Sequence, residues 1–164
     1  GKKLLFMGGE FAQYREWDSN GSLDWYLLQY PLHAGMQRLV RDLNTVYRDF
    51  SPLHRLDYDP QGFEWIIHDD TDSSVFCFMR RDGEKRPVIV ISNFTPVPRY
   101  GYRIGVAEPG WYREIINTDA AIYGGSGVHN HELLAQPVPS NGMPWSLEVT
   151  APPLATSMLV RKDS

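Results

Sequence analysis

Glu10, Gln13, Tyr14, Arg15, Glu16, Trp17, Asp18, Asn20, Trp25 and Tyr26 follow one another near the start of the chain without a helical period. Aromatic rings offer flat faces to the apolar C–H surfaces of a pyranose, while carboxylates, amides and guanidinium groups pair with its hydroxyls. Sugar binding is the chemistry this mixture suits, with Glu10, Arg15, Glu16, Trp17 and Trp25 as candidate substrate-binding residues. Each also has a plainer role open to it: the indoles could pack the loop, and Glu10 could hold a turn through backbone amides.

The elements that must position these residues can be read around them. Leu4, Leu5, Phe6 and Met7 are apolar without alternation, the pattern of a strand covered on both faces in a parallel sheet. Gly8 and Gly9 allow a sharp turn, so Glu10 stands where a parallel barrel strand delivers residues to its carboxyl-end face. After the loop, Met36, Leu39, Val40, Leu43, Val46, Tyr47 and Phe50 recur at spacings of three and four, which predicts a helix over 33–50 that stops before Pro52. The segment LDYDPQG at 56–62 carries connector residues, and the pattern beyond it changes. Short strands are expected at 63–68, 75–81, 88–94, 100–106, 111–117, 146–150 and 156–162, divided by turn residues and by no helix. That succession indicates an antiparallel β-sandwich. The run 88–91, apolar throughout, should be central, whereas the strand of Leu147 and Val149 alternates with polar neighbours and should be half exposed.

A set of strings in this order resembles a known family. FMGGEFAQ, Glu16-Trp17, SLDW at 22–25, LVRDLN at 39–44, DPQGFEWI at 59–66, SNFTPVPR at 92–99, YRIGV at 102–106, NTD at 117–119, YGGS at 123–126 and PPLAT at 152–156 are similar to the C-terminal part of the glycogen, or 1,4-α-glucan, branching enzymes of the α-amylase superfamily. The resemblance implies a mainly β chain: the last strand, loop and outer helix of a (β/α)8 barrel over 1–57, then an all-β C-terminal domain over 58–164. It implies that the aspartate nucleophile, the glutamate acid/base and a third aspartate lie upstream of Gly1, so that no catalytic residue falls in this chain and the chain alone is inactive. The whole enzyme would cut an α-1,4 link, hold the glycosyl piece on an aspartate and pass it to a 6-hydroxyl, making an α-1,6 branch by retaining double displacement. The expected partners are an α-glucan and the upstream barrel, whose absence would leave the helix stripe exposed. A free-standing glucan-binding module, a purely structural domain, and a related amylase or debranching hydrolase remain alternatives.

The rest of the composition narrows the field. With 42 % hydrophobic and 13 % aromatic residues over 164 positions, the chain can bury a real core rather than stay disordered. A net charge of −4 without a basic run gives no reason to expect nucleic acid, and no apolar segment suits a membrane. The lone Cys77 lies in an apolar run and reads as a buried structural thiol, which favours the reducing cytoplasm. No cofactor is expected. His129, His131 and Glu132 outline a metal site without a fourth ligand, so no metal is expected there either. His68-Asp69-Asp70 resembles the family's His-Asp-Glu motif in outline, but it runs from a strand into a turn where paired carboxylates would flank no cleft. Trp65 and Trp111, both in strands, are expected in the core, and Trp145 is evenly balanced between core and sugar binding.

Overall fold

The computed structural model describes residues 3–162. Leu4, Leu5, Phe6 and Met7 form no strand and stand exposed, because no other strand of the described residues lies alongside to accept their backbone hydrogen bonds. The expected barrel strand is therefore not formed here. The turn after it is: Gly8 takes φ +85° and its carbonyl accepts from the amides of Phe11 and Gln13. A short 3₁₀ turn, Gly9–Phe11, follows, and Phe11 is fully buried.

Helix α1 spans Pro31–Asp49, with Pro31 in the first turn, where its missing N–H costs nothing. Among the described residues eight strands follow: β1 Phe63–Asp70, β2 Val75–Arg80, β3 Val88–Asn93, β4 Arg99–Val106, β5 Trp111–Asn117, β6 Leu133–Leu134, β7 Trp145–Ala151 and β8 Ala155–Arg161. They make a six-stranded sheet in the order β1-β2-β3-β8-β5-β6 and a two-stranded sheet of β4 and β7, with every pairing antiparallel. The core fills the space between the sheets. Cys77, Met79, Ile89, Ile91 and Leu159 come from the larger sheet and Ile104, Val106, Leu147 and Val149 from the smaller. Full burial of such side chains stabilises by about 1.5–3 kcal/mol each.

β3 shows why an unbroken apolar run becomes a central strand. Ile89 and Ile91 face the inter-sheet core, while Val88 and Val90 face the other way and pack with Val160 and Leu53 against Val46, Tyr47 and Phe50 of α1 and its end. The end of the helix stripe expected to lie bare, at Val46, Tyr47 and Phe50, is therefore half-buried against the domain's own outer sheet face. β7 alternates as expected, with Leu147 and Val149 buried and Glu148 exposed.

Polar residues fix the connections. Asn93 is buried, donates to the carbonyls of Val97 and Ala151, and accepts from Thr95, which joins the two sheets at the β3–β4 turn. The long segment after β5 is tied down the same way. Asp119 accepts from Ser126 and Val128, and Asn130 pairs with both backbone groups of Thr150 in β7. At its other end this segment meets α1 closely: Gly35 lies against the Tyr123 carbonyl, the Tyr123 hydroxyl donates to Asp42, and Arg38 donates to the Ile122 carbonyl.

Candidate functional site

The loop between the Gly9–Phe11 turn and α1 is built on a buried carboxylate. Asp24 accepts from Nε of Arg15 at 3.0 Å and from its Nη2, a two-point fork that holds the Asp24 carboxyl below the usual carboxylate range. The Asp24 amide donates to Gln13 Oε1 at 2.7 Å, and Gln13 Nε2 donates to the Arg15 carbonyl at 2.8 Å. These bonds close 13–24 into a ring that orients what hangs from it. Trp25 projects from the ring's end, packs on Phe11 at 5.1 Å, and leaves 49 % of its surface exposed. His33, buried at the start of α1, meets the Phe11 carbonyl through Nδ1 and carries the rings of Tyr14 and Tyr30 against its own.

The structure thus divides the sugar-binding candidates. Arg15 and Trp25 share the Asp24 ring; Trp17 instead packs edge-on against Phe6 at 5.6 Å. Glu16 is exposed, and Glu10 lines a separate open groove of about 600 Å3 between residues 5–7 and the Val40, Arg41, Asn44 and Arg48 side of α1. Arg15 acts mainly on the loop itself, since two of its donors are spent on Asp24. Asp24 was missed by sequence reasoning, because a carboxylate beside an aromatic run carries no periodic signal of burial.

Other residues singled out in the sequence resolve cleanly. Asp70 accepts from the Tyr102 hydroxyl and the Ser73 amide, and those bonds hold its carboxyl below the usual range, so it closes a turn. His129 and His131 stack edge to face at 4.8 Å while Glu132 is bound by Lys162. Among the described residues no group of three His, Cys, Asp or Glu is placed to hold a metal ion. No helix of the described residues is long and apolar enough to cross a membrane. Cys77 is fully buried, and burial pushes its thiol up. Trp65 and Trp111 depart from expectation: neither is in the core, with 47 % and 49 % exposed, and Trp145 is half-buried against it.

Residues 65–162 match the family described as alpha amylase, C-terminal all-beta domain. The chain belongs to that family. Its relatives include proteins named 1,4-alpha-glucan branching enzyme GlgB. The one from Cupriavidus necator is 54 % identical over 97 % of this chain and 21 % of its own length. That from Cereibacter sphaeroides is 58 % identical over 95 % and 22 %, and that from Aquifex aeolicus 53 % over 97 % and 26 %. The chain spans about a fifth to a quarter of the curated relatives it matches. A solved alpha-amylase from H. orenii is 20 % identical, covers 77 % of this chain and 20 % of that one, and superposes with a TM-score of 0.46. The β architecture agrees with the all-beta family, and the strings that resembled the branching enzymes are carried in a match that runs along nearly all of the chain.

Proposed function

We propose that this chain works as the C-terminal part of a 1,4-α-glucan branching enzyme, in which an α-1,4-linked segment is moved to a 6-hydroxyl to form an α-1,6 branch. The observation that carries this reading is identity of 53–58 % over 95–97 % of the chain to proteins of that name. Within that enzyme, residues 1–57 complete the barrel side and 58–164 form the β-domain. Trp25, Trp17 and Glu16 face the glucan, the indoles by stacking and the carboxylate by hydrogen bonding, while Arg15 holds the Asp24 ring that orients Trp25. The exposed Leu4–Met7 run and the groove beside α1 receive the catalytic barrel, whose acid and nucleophile perform the double displacement. The cytoplasm, where a free thiol such as Cys77 persists, is the compartment this reading favours.

Two assays test it. The purified chain should leave the iodine colour of amylose unchanged, because it supplies no nucleophile. Exchanged for the matching segment of the Cupriavidus necator protein, it should preserve branching. Branching by the chain alone, or a folded chimera without branching, would overturn the proposal.

A further inference from the structure

A cavity of about 510 Å3 opens where the end of α1 meets the larger sheet, at the end of that sheet where β3 and β5 begin and β8 finishes. In a chain of net charge −4, its lining gathers five cations, Lys85, Arg86, Arg113, Arg161 and Lys162, against two carboxylates, Asp49 and Glu84. These charges are not equally committed. Glu84 is held in a two-point fork by Arg55, and Asp49 by Arg48 at 3.1 Å, so both carboxylates are neutralised by residues outside the lining. Arg161 is paired with Glu108 and Lys162 with Glu132, while Arg86 donates to the Lys162 carbonyl. Lys85 and Arg113 are exposed and have no carboxylate partner among the described residues. We propose that this cavity is a binding site for a small phosphate ester, its phosphate held by Lys85 and Arg113 and its organic part lying against Phe50 and Val160.

The walls are set before a ligand arrives. Asp82 is buried, accepts from the Ser51 hydroxyl, and accepts from the amides of Glu84 at 3.0 Å and Lys85 at 2.6 Å. The turn that carries Lys85 is thereby tied to the chain leaving α1, which lowers the ordering cost of binding. Arg113 lies opposite Val160 in the antiparallel register and so shares its sheet face, where Val160 packs with Phe50. A guanidinium offers a planar fork that matches two phosphate oxygens, and an ammonium adds a point charge, so the pair favours a dianion over a single carboxylate. The volume falls in the range of small-molecule pockets and leaves room beside the phosphate for an organic group, which the apolar lining of Phe50, Pro52 and Val160 suits. Nucleic acid needs a track of phosphate contacts, whereas the Glu108 and Glu132 carboxylates on Arg161 and Lys162 confine the positive potential to one short stretch.

The site uses none of the residues assigned to the glucan, so it stands or falls apart from that reading. The full 164-residue chain is titrated calorimetrically with glucose 6-phosphate and adenosine monophosphate, with inorganic phosphate and glucose as controls. At least one ester should saturate with a Kd below about 1 mM and bind more weakly as salt is raised, and the tighter of the two tells a sugar from a nucleoside as the organic part. Arg113→Gln and Lys85→Gln should each weaken that binding by about tenfold, the loss of one charged contact, with the melting temperature of the ligand-free chain unchanged. The ester should raise the melting temperature of the wild type and leave that of the double variant where it was. Failure of both esters to saturate by about 10 mM, or wild-type affinity in both variants, would overturn the site. Inorganic phosphate or glucose binding as tightly as the esters would overturn the phosphate ester as its ligand.

Discussion

Gly35 sets two well-measured effects against each other. In the second turn of α1 a change from glycine to alanine adds helix propensity worth about 1 kcal/mol. A Cβ at 35, however, would stand 2.5 Å from the Tyr123 carbonyl oxygen and 2.8 Å from its carbon, and these are backbone atoms held by the tethered segment after β5. An ordinary contact requires about one ångström more, so α1 must retreat or the segment must lift, at a packing cost of about 1–3 kcal/mol. Retreat also breaks the Tyr123–Asp42 bond at 2.9 Å and the Arg38–Ile122 bond at 3.0 Å, each worth about 0.5–1.5 kcal/mol. The clash wins: Gly35→Ala should lower stability by about 2 kcal/mol, or the melting temperature by about 4–8 °C. Urea unfolding followed by far-ultraviolet circular dichroism measures this directly. Gly21→Ala, where a Cβ meets nothing within 4 Å, is the control and should stay within about 0.5 kcal/mol of wild type. A Gly35→Ala protein as stable as wild type, or more so, would refute the claim that α1 and the 119–128 segment are locked at fixed distance.

Asp57 is half-buried with its carboxylate covered, accepts from Lys3 and Arg80, and takes the Tyr47 hydroxyl; Asp57→Asn weakens the hold on Arg80 in a half-dry site and should cost about 3 kcal/mol in urea titration. Burial pushes the Asp57 carboxyl up, but the hydrogen bonds from Lys3 and Arg80 outweigh it and hold it below its ordinary value. Its stabilisation is therefore present above the unfolded carboxylate range and fades as pH falls through the lower folded value, so the wild-type urea midpoint should drop below about pH 4 and that of Asp57→Asn should drop less. Leu147→Ala, at a fully buried site between the sheets, should cost about 2–5 kcal/mol by the same titration. Cys77 should resist a thiol reagent at neutral pH and react only at the rate of unfolding, because it is buried and its thiol is pushed up; fast labelling of the folded chain would contradict its placement.

The strands were legible because their signals are local. Alternation, turn residues and the run 88–91 located seven of the eight strands to within a residue or two, and missed only the two-residue β6, too short to carry a period. The helix was equally legible, but the destination of its stripe was not: periodicity says that Val46, Tyr47 and Phe50 share a face, and nothing in it says which surface they meet. Leu4 to Met7 were read as a strand from composition, yet a strand exists only with a neighbour to pair with. Within the candidate site, Trp25 and Arg15 were found as residue types, while the partner that orients them, Asp24, required the fold. Phe76 and Phe78 alternate on β2 with the core residues Cys77 and Met79, a period-two signal that reading the strand as one apolar run passed over.

The two-sided burial of β3 fixes what evolution can move as a piece. Because Val88, Val90 and Val160 are roofed by residues that precede the β-domain in the chain, a recombination event that spliced the sandwich alone onto another catalytic framework would bare a valine face and forfeit its cover. The heritable cassette is the helix together with the sheets it roofs, so a new host must offer a position where that helix can end.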